Sequence, residues 1–408
     1  MKTRQPYLLF LLYCLTSMQA QADWSGNISF QDRYFLNDPL PQNPQQHNNY
    51  LSLSAEPEYY SAWNNDSQSF IFTPFYRLDQ YDDERSHGDI RELNYQQVFD
   101  GWEIRIGISK VYWGVTESQH LVDVINQTDN VENTDGEDKL GQPMIKASFE
   151  QSTGNIDLFI LPYFRERTFQ GIEGRPRAYP VVDTSQTAYE STEDEEQHID
   201  YALRWFNYLG DLEIGLGYFT GTSREPLFLP GTRNGEPVLT LYYPLMQQAS
   251  IDAQLTTEAW LWKFEGIVRD WQNVDVDTAQ ITDENFYALT GGFEYTFVGI
   301  IESDADLGLV MEYLYDSRGL DASAFFQNDI MMGLRLAVND AQSTEALLGV
   351  IVDLDNQEQV ISLEASRRFY ASWTATLEVR SFNRIDRLSR LKGIEQDDFI
   401  QLDIAYYF

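Results

Sequence analysis

The sequence predicts an all-β chain whose strands close into a single transmembrane antiparallel barrel, and three observations predict it. Apolar residues recur at every second position in run after run, the period of a strand with one apolar face. The connections between runs alternate between tight turns and longer polar stretches. Tyr, Phe and Trp number 25, 24 and 9 and mark the ends of runs, where a membrane barrel places its aromatic girdles. No segment after Ala22 approaches the roughly 18 apolar residues of a spanning helix, but a barrel strand needs them only at alternate positions.

At the N-terminus, Lys2 and Arg4, the apolar run 7–15 and Ala20-Gln21-Ala22 follow the order of a secretory signal. Cleavage is expected after Ala22, leaving 23–408 as the barrel. Tyr13 is too bulky to precede a lipid-modified Cys14. Because Cys14 is the one cysteine, the mature chain is expected to hold neither a disulfide nor a thiolate metal site. Without Lys2 and Arg4 the chain keeps 26 basic against 64 acidic residues, about −38. That charge argues against nucleic-acid partners and for a field that attracts cations.

In chain order the alternating runs are 25–35, 51–59, 70–79, 92–99, 102–109, 145–149, 156–164, 199–205 and 212–218, then 251–255, 260–268, 287–295, 307–313, 332–338, 348–352, 361–369, 373–379 and 399–408. This is a barrel of about 18 strands, with 16 as the alternative count. Tight turns are expected at Asn64-Asn65-Asp66-Ser67, Asp100-Gly101, Thr153-Gly154-Asn155 and Gly210-Asp211. Later turns fall near Glu258 and at 302–306, 339–343 and 370–372. Pro57 and Pro74 weaken the second and third runs, since proline cannot donate to a ladder. A soluble sandwich or β-helix would share the alternation, but not the alternating loop lengths or an aromatic last residue.

The closing run, F-I-Q-L-D-I-A-Y-Y-F, puts Ile400, Leu402, Ile404, Tyr406 and Phe408 on one face. It resembles the terminal strand by which bacterial outer-membrane β-barrels are recognised for assembly, with Tyr406 and Phe408 as the signal. The even strand count and alternating loop lengths resemble a porin, and V-Y-W-G-V-T-E-S with D-V-I-N-Q-T-D is loosely similar to uncharacterised proteobacterial outer-membrane proteins. The resemblance implies export through the periplasm to a Gram-negative outer membrane, with both termini periplasmic. It also implies contact with the barrel-assembly machinery, outer-membrane lipid and lipopolysaccharide, and the homotrimer that porin-like barrels often form.

With the apolar positions facing lipid, their neighbours face the lumen. The selectivity candidates are Arg77, Arg105, Lys146, Arg165, Arg204, Arg269, Arg335 and Arg380, with Glu103, Asp157, Glu265 and Glu312 of opposite sign. Burying so many charges in a dry core would cost several kcal/mol each, so the interior is expected to hold water. The interval 114–143 is the third long connection, and in general porins the third outer loop narrows the lumen. Trp113, Asp123, Asn126, Glu132 and Asp135 are its constriction candidates, because a solvent loop has little use for Leu121, Val124 and Ile125. Arg165, Arg167, Arg175 and Arg177 form one basic cluster that would suit carboxylate or phosphate.

Catalytic and metal motifs do not hold together. The stretch around Asn133, Asp135 and Gly136 fails the calcium-loop pattern at Val131 and Gln142. Gly215 and Gly217 lie within a strand, and Ser118 with His120 is the nearest thing to a nucleophile and base. The expectation is a passive channel for small polar or charged solutes with no enzymatic step, cofactor or metal. The alternative is a non-conducting barrel with a binding or structural role, an adhesin or accessory protein. A gated transporter would need a large N-terminal plug, which the early start of the strands leaves no room for.

Overall fold

The computed structural model describes residues 21–190, 193–272, 285–322, 324–387 and 389–408. The expected leader lies outside the described residues, apart from Gln21 and Ala22, which open the first strand.

The first nine strands are β1 (Gln21–Phe35), β2 (Asn49–Trp63), β3 (Gln68–Asp79), β4 (Gly88–Phe99), β5 (Trp102–Ser109), β6 (Gln142–Gln151), β7 (Gly154–Leu161), β8 (Ala188–Tyr189) and β9 (Asp200–Leu209). Then come β10 (Leu212–Thr222), β11 (Leu227–Arg233), β12 (Glu236–Tyr243), β13 (Leu245–Thr257), β14 (Trp260–Gln272), β15 (Asn285–Phe297) and β16 (Asp306–Asp316). The last are β17 (Asn328–Ala337), β18 (Glu345–Asp353), β19 (Gln359–Phe369), β20 (Trp373–Asn383) and β21 (Phe399–Tyr407).

Eighteen of these strands form one antiparallel sheet, each paired with its neighbours in sequence. The sheet closes where β1 meets β21, from Asn27 opposite Tyr407 to Phe35 opposite Phe399. Closure leaves no free edge, which is what lets a sheet cross a bilayer with every backbone group paired. The count of 18 expected from the alternation is the observed one.

Local chemistry explains the turns and the irregular places. Gly101 has φ of 75° in the two-residue turn between β4 and β5, and Asn64, Asn65 and Asp66 all adopt positive φ between β2 and β3. Pro57 and Pro74 do lie within strands, at faults in the ladder. The β3–β4 register shifts between Thr73 and Pro74, and Pro57 lies opposite Gly26, where an added Cβ would stand 2.5 Å from the Glu56 carbonyl oxygen.

The exterior is apolar: Phe30, Leu53, Leu158, Leu216, Met332 and Leu402 are all exposed. A band of this kind is stable against lipid and would not persist in water. Rings gather at the short-turn end, where Phe99 stacks on Trp102 at 4.2 Å and Trp260 on Trp262 at 5.3 Å. The chain is thus an outer-membrane type of β-barrel, inside-out relative to a soluble protein.

Two features depart from the sequence expectation. The intervals 170–197 and 223–240 are not plain loops, because β11 and β12 form a hairpin that takes β8 as a parallel third strand. The interior is also not uniformly water-filled. Met144, Phe159, Ala202, Phe219, Met246, Ile267 and Phe286 face inward and are buried, forming one apolar cluster with residues of the loop after β5.

Candidate functional site

Residues 110–141, between β5 and β6, pass through the inside of the barrel. Trp113 packs edge-on against Phe159 of β7 at 5.7 Å, with the Arg204 guanidinium 5.0 Å from its ring centroid. Val122, Val124 and Ile125 are buried in the same apolar cluster. Each such side chain contributes roughly 1.5–3 kcal/mol by leaving water, which fastens the loop to the wall formed by β6, β7, β9, β10, β13 and β14. Asn126 closes its base: Oδ1 accepts from Val111 N–H at 2.9 Å, and Nδ2 donates to the carbonyls of Ser109 at 2.9 Å and Leu140 at 2.8 Å.

Two wall carboxylates hold the turn of the loop. Glu265 of β14 accepts from the N–H groups of Val115 and Thr116 at 2.7 and 3.0 Å, from the Thr116 hydroxyl at 2.7 Å and from Val122 N–H at 3.2 Å. Glu312 of β16 accepts from Glu117 N–H at 2.8 Å and from Ser118 N–H and Oγ–H at 2.9 and 2.6 Å. Both were expected as water-facing selectivity residues; both are buried and saturated by loop donors, since a buried carboxylate is stable only when its lone pairs are taken up. Gln119 adds a bond to Thr290 of β15 at 2.7 Å.

The ion pairs divide by side of the barrel. Toward β3 and β4, Arg77 grips Glu132 with Nε and Nη2 at 2.7–3.0 Å, His87 reaches the same carboxylate at 2.9 Å, and Arg91 meets Asp129 at 2.8 Å. Burial pushes the Glu132 carboxyl up, but His87, Arg77 and Arg85 outweigh it and hold it well below its ordinary value. Within the loop, Lys139 pairs with Asp123 at 3.1 Å. Across the opposite wall, Arg204 pairs with Asp252 and Arg224 with Asp200, at 2.8 and 2.7 Å, and Glu225 binds Arg269 at 2.5 Å and Arg318 at 3.2 Å. These pairs are nearly dry.

Toward β17–β20 the loop meets the wall through wetter pairs. Glu117 binds Arg335 of β17 at 2.5 Å, and Arg335 also reaches Glu294 at 3.3 Å. Arg380 of β20 touches three carboxylates: Glu364 at 2.7 Å, Glu378 at 2.8 Å and Asp135 of the loop at 3.3 Å. His120 lies 3.0 Å from Glu137. Burial lowers the His120 pKa, but the Glu137 carboxylate bonded to it and the Glu265 carboxylate 3.7 Å away prevail and raise it from 6.5 to about 10.

The remaining candidates lie on the wall or at the ends of the loop. Lys146 pairs with Asp157 at 2.9 Å across β6 and β7. Arg105 and Glu103 both bond to Gln96, at 3.0 and 2.7 Å. Arg165 is not on the wall, because β7 ends at Leu161; it binds Asp89 and the Gly141 carbonyl, both at 2.8 Å. Its basic neighbours are clamps: Arg167 donates to Gln127 and the Arg224 carbonyl, Arg175 to Asp397 and the Gln396 carbonyl, and Arg177 to Asn43. Tyr406 and Phe408 face outward at the seam, where Phe408 N–H donates to the Gly26 carbonyl at 3.1 Å.

Sequence reasoning missed Arg224, Glu225 and Arg318, which sit in loops with no strand register to reveal them. It missed the apolar interior as well, although Leu158-Phe159-Ile160-Leu161 is apolar at consecutive positions, the mark of a strand covered on both faces.

No family model and no curated protein matches the chain. Among solved structures it is similar to a mutant of the Rh. blastica porin, with 9% identity over 95% of this chain and 100% of that one and a TM-score of 0.44. It is also similar to OmpT, an outer membrane protein of Vibrio cholerae. A loop-deletion form of OmpT matches with 10% identity over 95% and 99% of the two chains and a TM-score of 0.47. The outer-membrane-expressed form gives 10%, 95%, 98% and 0.44. The barrel itself is established here by its own closed ladder and apolar exterior.

Proposed function

We propose that the chain is a porin-like passive channel for small polar or charged solutes across the outer membrane of a Gram-negative bacterium. The observation that carries this is the loop 110–141, which crosses the lumen and is sealed to β3–β4 and to the wall from β6 to β16 while its contacts with β17–β20 are wetter. Such an arrangement narrows a water-filled barrel without filling it. Solute would diffuse past a fixed constriction with no chemical step. The Ser118 hydroxyl is engaged by Glu312, so it is not poised toward His120 as a nucleophile would be.

In this reading the short turns and both termini face the periplasm, and the long loops face lipopolysaccharide. The chain reaches the membrane by export and the barrel-assembly machinery, and assembly into a homotrimer would place apolar exterior against apolar exterior.

The many ties on the loop favour a second reading, a lumen sealed for a binding or structural role. Conductance of refolded protein in planar bilayers separates the two. Discrete steps are expected for a channel; folded, heat-modifiable protein that gives none would move the assignment to the sealed barrel.

A further inference from the structure

We infer that solute crosses this barrel along the seam between residues 117–137 and strands β17–β20, and that the seam selects small cations. The inference rests on the channel reading and names its path and substrate class.

Water contact locates the path. On the β3 side, the Arg77 and Glu132 side chains are 9% and 6% exposed, and on the β9 side Arg224 and Asp200 are 7% and 1% exposed. On the seam, Arg335 keeps 37%, Glu364 49% and Glu137 55%, around a drier Arg380–Glu378 pair at 17% and 7%. Ions follow water, so the dry walls are barriers and the wet seam is the route. The apolar cluster beneath Trp113 and Ile125 blocks the β6–β14 side for the same reason.

Charge sets the preference. The loop contributes Glu117, Asp135 and Glu137 to the seam, and the wall contributes Glu294, Glu364 and Glu378. Against these six carboxylates stand Arg335, Arg380 and Lys263, with His120 beside Glu137. Glu265 and Glu312 are satisfied mainly by backbone N–H groups, with the His120 imidazole 3.7 Å from Glu265 as the cation beside them. Within each cluster the charges are 2.5–3.6 Å apart, far inside a Debye length of about 8 Å, where salt screens weakly. Arg380 shows what the cluster accepts: its guanidinium bonds Asp135, Glu364 and Glu378 together, and a passing cation would exchange with it.

The test is the reversal potential of the full-length mature channel in a potassium chloride gradient. The wild type should pass potassium over chloride. Glu364→Gln and Asp135→Asn should each lower the permeability ratio about two- to fivefold, and Arg380→Gln should raise it, as expected for charges at a constriction. Glu364 bonds one partner at the lumen surface, so its variant should fold. Because the mature chain carries no native cysteine, Glu364→Cys should be blocked by a cationic thiol reagent and the buried Ala202→Cys should not. Anion preference, unmoved ratios, or block at position 202 alone would overturn the inference while leaving a channel. A folded protein that never conducts would overturn the channel reading and this inference together.

Discussion

Ser118 of the lumen loop is joined twice to Glu312 of β16, its N–H donating at 2.9 Å and its hydroxyl at 2.6 Å to the same carboxylate oxygen. The other oxygen takes Glu117 N–H at 2.8 Å. The loop therefore rests on β16 through its own backbone, and at residues 117–118 it is held by a charge rather than by packing.

Replacing Glu312 by Gln keeps the shape but turns one acceptor into a donor facing N–H groups. Each bond to a charged group is worth about 1.5–3 kcal/mol. The variant is expected to lose about 1–3 kcal/mol of stability in detergent, and its single-channel current should become noisier as the loop swings. Glu265→Gln should cost more, because four donors converge there. Denaturant midpoints and current noise, read on the same preparations, check both.

His120 predicts a pH dependence. Burial opposes its charge, yet Glu137 and Glu265 raise its folded pKa from 6.5 to about 10. The imidazolium bonds therefore stabilise the fold fully below 6.5, and the contribution is lost as pH rises through about 10. The difference in denaturant midpoint between wild type and His120→Gln should be largest below 6.5 and shrink toward pH 10.

The barrel was legible because its information is local. A period of two, Asp100-Gly101 between alternating runs, and Phe408 after Tyr406 and Ile404 each declare themselves within ten residues. Arg77, Arg204 and Glu265 could likewise be set inward by register alone. Their partners could not, since Glu132 and Thr116 arrive by loop docking, and Asp252 reaches Arg204 across Gly215 of the intervening β10, where a side chain would stand in the way. The β11–β12 hairpin was available in principle: Asn234 and Gly235 both take positive φ between two alternating runs, a strong hairpin signal. It was obscured because a turn inside a long outer connection reads as more loop.

Arg224 and Asp200 form a buried pair at 2.7 Å, with Arg224 also donating to the Ile125 and Thr222 carbonyls. Arg224→Met should cost about 1–3 kcal/mol, because the buried Asp200 carboxylate loses its guanidinium and keeps His198 at 2.8 Å and Thr222 N–H at 2.9 Å. Adding Asp200→Asn should recover part of the loss. Denaturant titration of the two variants checks the order; equal stability of wild type and Arg224→Met would mean that water replaces the guanidinium.

Phe408 separates assembly from stability. Its ring is half-exposed on the lipid face and among the described residues meets only Tyr406 within stacking range, at 6.5 Å, while its N–H bond to Gly26 is independent of the side chain. Truncating it therefore removes little packing, and Phe408→Ala should leave stability in detergent within about 0.5 kcal/mol of wild type, as surface substitutions do. If the terminal aromatic is read by the assembly machinery, the same variant should reach the outer membrane in several-fold lower amount in cells. Quantifying heat-modifiable barrel in membranes against refolding yield in detergent distinguishes the two roles, and a parallel fall in both would make Phe408 a structural residue instead.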